Sequence, residues 1–206
     1  HTDFAGIREA FVEGNAAQNR LGLTGVGLVV VGLAFKVSSV PLHQWTPDVY
    51  QGAPTTVTAY MSVTVKVAAF VAMLRIFVGG FGIDSGITSI PEVLWTLAAL
   101  TMIVGNVMAI IQDNVKRMLA YSSIAHAGYV LVGFVATTQE SYAAVLFYLV
   151  VYVFMNLGAF SIIVTLASEK RDCDRIQDFS GLAVSRPVLA GLMTLFMFSL
   201  AGIPGT

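Results

Sequence analysis

Six stretches of this chain are apolar over about the 20 residues that a helix needs to cross the hydrocarbon core of a bilayer, and nothing else in the sequence restricts the fold as much. They run approximately over 21–50, 54–78, 92–111, 117–137, 141–167 and 187–204. In lipid every backbone polar group has to be satisfied within the protein, so such segments are helices. The expected fold is all-α, a polytopic transmembrane helix bundle, with 1–206 as a single transmembrane domain. Composition points the same way: 11% of residues are charged, against about 25% in soluble domains. A net charge of −1 gives no reason to expect nucleic acid as a partner. Cys173 is the single cysteine, so there is no disulfide framework, zinc motif or iron–sulfur ligand set. The chain opens on His1 without a methionine and stops just after an apolar run. It reads as an internal piece of a longer polypeptide, with no signal peptide visible.

Two amines interrupt these stretches. Lys36 and Lys66 lie near the middle of the first and second segments. A charge at bilayer mid-depth costs about 2.5–3.5 kcal/mol even on insertion scales, and burial disfavours the ammonium form of any amine. An ionisable residue so placed reads by default as part of a pathway for protons or cations. For Lys66, snorkelling to the headgroups is a poor alternative, because a stem of about four carbons does not cover a half-thickness of about 15 Å.

The first segment is too long and too interrupted for one straight helix. Pro41 and Pro47 cannot donate to the carbonyls of Val37 and His43, so a break is expected near 41. Irregular backbone at that depth is tolerated only inside protein or beside a wet cavity. Lys36 then sits at the centre of a broken span; if 42–53 is instead an ordinary loop, Lys36 lies near a membrane end and can snorkel. Residues 3–12 read as a short interfacial helix. Alternating crossings put Lys116, Arg117, Lys170, Arg171, Arg175 and Arg186 on one side and Arg8, Arg20 and Arg75 on the other. The more basic side is cytoplasmic, or its organellar equivalent.

On 54–78, Thr55, Thr58 and Ser62 lead to Lys66 at spacings of three, four and four, on one helix face. Beyond Lys66 the helix is apolar from Val67 to Leu74, with nothing to solvate a proton. Half of an aqueous channel closed by a lysine has this pattern. Hydroxyls bonding back to their own helix explain the Ser and Thr equally well. On 117–137, Tyr121, Ser122, Ser123, His126 and Tyr129 again precede an apolar remainder. His126 is a candidate proton relay, since histidine titrates near neutral pH and carries two ring nitrogens; Ser122 and Tyr129 are candidate supporting groups. A histidine that only hydrogen-bonds a neighbouring helix is the competing reading.

Tyr148, Tyr152 and Asn156 recur every four residues on 141–167 and read as a polar helix–helix contact. Asp113 and Asn114 are plausible caps, while Lys116 and Arg117 read as a topology and headgroup anchor. Gly22, Gly25, Gly27 and Gly32 suit close helix packing. No phosphate-cradling motif or nucleophile–base set is present, so no redox-catalytic, cofactor-binding or metal-ligating residue is assigned.

The run from Phe35 to Pro54 (FKVSSVPLHQWTPDVYQGAP) resembles the antiporter-like membrane subunits of respiratory complex I, in detail their subunit N branch. Val65 to Ala68 (VKVA), Asn114 to Tyr129 (NVKRMLAYSSIAHAGY) and Ser199 to Pro204 (SLAGIP) extend the resemblance over essentially the whole chain. It implies the part of such a subunit from helix 7 to the start of helix 12. Lys36 would be the central lysine of the broken helix, Lys66 the connecting lysine and His126 a relay residue. An acid pairing with Lys36 would precede residue 1, and a further lysine would follow residue 206.

The implied function is a proton-translocating membrane-arm subunit of an NADH–quinone oxidoreductase, part of an enzyme but with no redox step on this chain. Protons would pass from Lys36 to Lys66 and then His126. NADH, FMN, iron–sulfur clusters and quinone would be bound elsewhere in the complex. The expected partners are the lipid bilayer and other membrane-arm subunits, in a bacterial cell membrane or an organellar inner or thylakoid membrane. A subunit of a multi-protein Na⁺/H⁺ antiporter and a non-conducting assembly scaffold are the alternatives.

Overall fold

Helices account for almost all of the regular structure in the computed structural model, which describes residues 3–12, 20–85, 89–167 and 173–203. They are α1 (Phe4–Val12), α2 (Arg20–Val37), α3 (Trp45–Gly52), α4 (Thr55–Leu74), α5 (Ile90–Ile110), α6 (Val115–Val135), α7 (Gln139–Leu166), the single turn α8 (Leu182–Ser185) and α9 (Pro187–Leu200). A π-helical turn, Arg75–Gly80, prolongs α4. Five of these are long and apolar enough to cross a membrane: α2, α4 with its extension, α5, α6 and α7. The expected sixth crossing, 187–204, is helical over the fourteen residues of α9.

Side chains cap the starts of α6 and α7. Asn114 Oδ1 accepts from Arg117 N at 3.0 Å. Thr138 and Ser141 cap α7 reciprocally, at 3.1 and 3.2 Å, so two orphan donors of the first turn are satisfied. At the far end, Gly202 N bonds Ser199 O (3.0 Å) and Ile203 N bonds Phe198 O (3.2 Å). With Gly202 at φ +82°, this is a Schellman ending. Pro204 lies outside the described residues, and α9 has already terminated before it.

The broken first span opens at Ser38, before Pro41. Ser38 N bonds Phe35 O (3.1 Å) and Ser39 N bonds Ala34 O (2.8 Å), again a Schellman pattern, with Ser38 at φ +66°. A non-glycine residue held in that region costs on the order of 1–3 kcal/mol. The buried Ser38 Oγ is fixed by a hydrogen bond from Thr46 Oγ1 at 2.6 Å. The Val40–Pro41 peptide is cis, and Val40 N donates to Thr101 Oγ1 on α5 at 3.0 Å. Pro47, expected to break the helix, instead sits in the first turn of α3, where a missing N–H costs nothing. The His43 carbonyl is not freed either: Thr46 N donates to it at 3.0 Å.

Burial separates axis from periphery. In α6, 67% of the apolar window lies inside the protein, against 22% in α2 and in α5, so α6 is the most enclosed of the five spans. One apolar cluster joins α2, α4, α5, α6 and α7 through residues such as Phe70, Met73, Phe77 and Phe134. A second joins α3, α6, α7 and α9 through Leu119, Met155, Phe160 and Ile163. Glycines at which an added Cβ would collide with a neighbouring helix are on α5, α6 and α7, where one on Gly158 would stand 2.3 Å from Phe196 Cζ. A Cβ on Gly105 would stand 2.7 Å from Ala125 N, and one on Gly128 2.7 Å from Met102 Cγ. Gly25, Gly27 and Gly32, expected to serve packing, face open space.

Candidate functional site

Lys66 is halfway along α4 and only 4% exposed. Its Nζ donates to the backbone carbonyl of Ser123 on α6 at 2.6 Å. That amine is therefore turned into the bundle and not toward the headgroups. Among the described residues no carboxylate pairs with it. Beyond it, α4 and its π-helical extension pack Phe70, Met73 and Phe77 against Phe134 of α6, an apolar stretch.

Below Lys66 the expected polar face is present. Thr58 and Ser62 are buried, and Thr55, at the helix start, is partly buried. Thr58 Oγ1 donates to Tyr50 O of α3 at 3.0 Å, and Ser62 Oγ donates to Ala59 O at 2.7 Å. Ser62 thus bonds back to its own helix, whereas the shortest contact of Thr58 crosses to its neighbour, with Pro54 O of its own first turn at 3.3 Å.

The Tyr148–Tyr152–Asn156 face of α7 closes the site. Tyr148 OH hydrogen-bonds His126 Nδ1, Tyr152 OH donates to Ser123 Oγ at 2.8 Å and Asn156 Nδ2 donates to Ser62 Oγ at 2.6 Å. This is the polar helix–helix contact expected from the spacing, and its partners are the site's own residues. His126 is buried, with the rings of Tyr129 and Tyr152 at 5.3 Å and Tyr148 at 6.0 Å. Lys66, Phe70, Ser123, His126, Tyr148 and Tyr152 share the lining of one small cavity. Its free space is about what one water molecule requires.

Other expected members are elsewhere. Lys36 occupies the last turn of α2, beside the break, on an exposed face of the described bundle; a cation is favourable against the carbonyl end of a helix. The structure does not bring it into the Lys66 cavity. Tyr129 is 39% exposed and pairs with Asn106 of α5, whose Nδ2 donates to its hydroxyl at 3.1 Å; only its ring touches His126. Ser122 is partly buried, and its neighbour Ser123 makes both contacts in the cavity.

Lys116 corrects the anchor reading. It is buried, Nζ 3.1 Å from Asp174 Oδ2 and 3.4 Å from Ala53 O, so it faces the protein instead of headgroups. Among the described residues no group of three or more His, Cys, Asp or Glu is placed to hold a metal ion.

Comparison with known proteins follows the same lines. The family model described as "NADH:quinone oxidoreductase/Mrp antiporter, TM" matches residues 1–206. NADH-quinone oxidoreductase subunit N of Trichlorobacter lovleyi is 48% identical over 205 residues, which is 100% of this chain and 42% of that protein. The chain thus spans less than half the length of the curated relative. In respiratory complex I from Thermus thermophilus with bound aureothin, one chain superposes with a TM-score of 0.76 at 36% identity, covering 98% of this chain and 47% of the other. A chain of the Mrp complex from Dietzia sp. gives 0.81 at 27% identity, with 98% and 39% covered.

Proposed function

This chain belongs to the NADH:quinone oxidoreductase/Mrp antiporter transmembrane family, and on that footing we propose that it is the central part of a proton-translocating subunit N in the membrane arm of an NADH–quinone oxidoreductase, seated in a bacterial cell membrane among other membrane-arm subunits. The enzyme is the whole complex. The redox centres and the quinone are held by other subunits, and this chain moves protons without a cofactor of its own.

Lys66 is the central relay group, His126 its partner across the cavity, and Lys36 the entry amine beside the helix break. The observation that carries this reading is the inward-turned Lys66 amine, held by the Ser123 carbonyl at 2.6 Å and walled off from the opposite side by the Phe70, Phe77 and Phe134 rings. A group so placed can gain or lose a proton only through the polar half of the bundle. Thr58 and Ser62 on one side and Tyr148 and Tyr152 on the other supply rotatable hydroxyls there. The sequence relatives named for NADH–quinone oxidoreductase favour complex I, and the fold similarity to an Mrp chain keeps cation–proton antiport as the second reading.

In the full-length subunit within its complex, Lys66→Ala assembles and lowers proton transfer into vesicles by about 100-fold, the effect of removing a positioned acid–base group. Lys36→Arg fails as well, because a guanidinium keeps its proton. Wild-type pumping by Lys66→Ala would rule out the relay assignment. Sodium-dependent proton exchange without quinone reduction would move the chain to the antiporter reading.

A further inference from the structure

Lys116 and Arg117 are the first two basic residues of α6, in its N-terminal turn, where the helix macrodipole disfavours cations. Lys116 is nevertheless buried, and Arg117 is held at the surface against α3. Arg117 Nη1 lies 2.5 Å from Asp48 Oδ1 and 3.2 Å from Gln51 Oε1 of α3, with its guanidinium 6.0 Å from the Tyr121 ring centre. Lys116 bridges Asp174 and the Ala53 carbonyl that follows α3. The backbone adds to this: Val115 N donates to Asp174 O at 2.7 Å and Ile176 N to Asp113 O at 2.9 Å. The start of α6 is thus tied to α3 on one side and to residues 174–176 on the other.

We propose that Lys116, Arg117, Asp48 and Asp174 form an ionic clamp that positions α3, the segment after the helix break, against α6. They are positioning residues for proton transfer and carry no proton themselves. Eight residues are too few to hold a helix without tertiary support. The contacts of α3 run in opposite directions along the pathway. At its start Thr46 holds Ser38 beside the break that follows Lys36, and at its end Tyr50 O receives Thr58, on the polar face leading to Lys66. The position of α3 therefore sets both the geometry of the break and the register of the Thr58–Ser62–Lys66 face. The clamp is the charged contact that fixes that position, so loosening it uncouples the two ends without removing a relay group.

This inference rests on the proton-transfer reading, and its test separates the two. Asp48 has a side chain 73% exposed, so Asp48→Asn leaves no uncompensated buried charge. The double variant Lys116→Met with Asp174→Asn removes the buried pair together, which avoids stranding one partner. In the full-length subunit within its complex, both variants should speed hydrogen exchange of the α3 amides by about two- to fivefold and slow proton transfer in proteoliposomes, while exchange in α7 is unchanged. Asp48→Arg with Arg117→Asp should restore both. Unaltered α3 exchange overturns the clamp. Faster α3 exchange with wild-type transfer, in a preparation where Lys66→Ala is inactive, overturns its positioning role. Wild-type transfer by Lys66→Ala in that preparation defeats the relay reading instead, with the exchange data still deciding whether the clamp holds α3.

Discussion

Asn156 and Ser62 show how unequal the two ends of one buried hydrogen bond are. Both side chains are buried, and Asn156 Nδ2 donates to Ser62 Oγ at 2.6 Å. Ser62 has a second engagement, donating to Ala59 O, so Asn156→Leu leaves no donor stranded. That substitution should cost about 1 kcal/mol, in the range of interhelical hydrogen bonds in membranes. Ser62→Ala leaves the Asn156 amide without its acceptor and should cost more, about 2 kcal/mol. Reversible unfolding in bicelles measures both, and an equal or reversed ranking would mean that the amide has another partner. The two polar faces to which these residues belong, one on α4 and one on α7, were legible from spacings of four. Which of two adjacent serines enters the cavity was not: Ser122 and Ser123 stand four and three residues before His126, and both spacings share its face. Lys116 was misread for a different reason. Its partner Asp174 belongs to a distant loop, and nothing local to Lys116 announces an acid there.

At the scale of elements, the prolines do not mark the place where the helix ends. The interruption is a Schellman turn at Ser38, and a serine at positive φ is not foreseen from local preference. Glycines misled in a parallel way. The α2 glycines form a conspicuous series, yet close approach occurs at glycines of α5, α6 and α7 such as Gly105, Gly128 and Gly158, because spacing within one helix does not reveal which helix it meets. The α5–α6 contact gives a direct test. A Cβ at Gly105 would meet Ala125 N at 2.7 Å, Cα at 2.9 Å and Cβ at 3.0 Å, two of them backbone atoms that cannot rotate away. Gly105→Ala should therefore destabilise by about 1–3 kcal/mol, although alanine is the better helix former by about 1 kcal/mol. A thermal melt of the purified subunit reads the sign; a neutral or raised melting temperature would show that α5 can slide along α6.

Across the whole molecule, orientation follows from where the arginines and lysines are gathered. The ends that carry Lys116, Arg117, Arg175 and Arg186 are the start of α6 and the segment before α9. Arg8 and Arg75 are at the opposite end, where Arg8 pairs with Asp84 at 3.2 Å and Arg75 lies over Phe4. Lys116 and Arg117 are engaged by acids, but the positive-inside rule counts Lys and Arg and gives acids little weight, so the first end is expected in the cytoplasm. Ser180 is exposed at that end, in the segment joined to the start of α6, and Ser89 is exposed at the start of α5, one membrane crossing away from it. In a Cys173→Ser background, Ser180→Cys should react with a membrane-impermeant maleimide only in inverted vesicles, and Ser89→Cys only in right-side-out ones. The opposite labelling would reverse the insertion. It would also reverse the side from which Lys66 is reached, because the polar half of α4 begins at the Ser180 end and the aromatic plug fills the other.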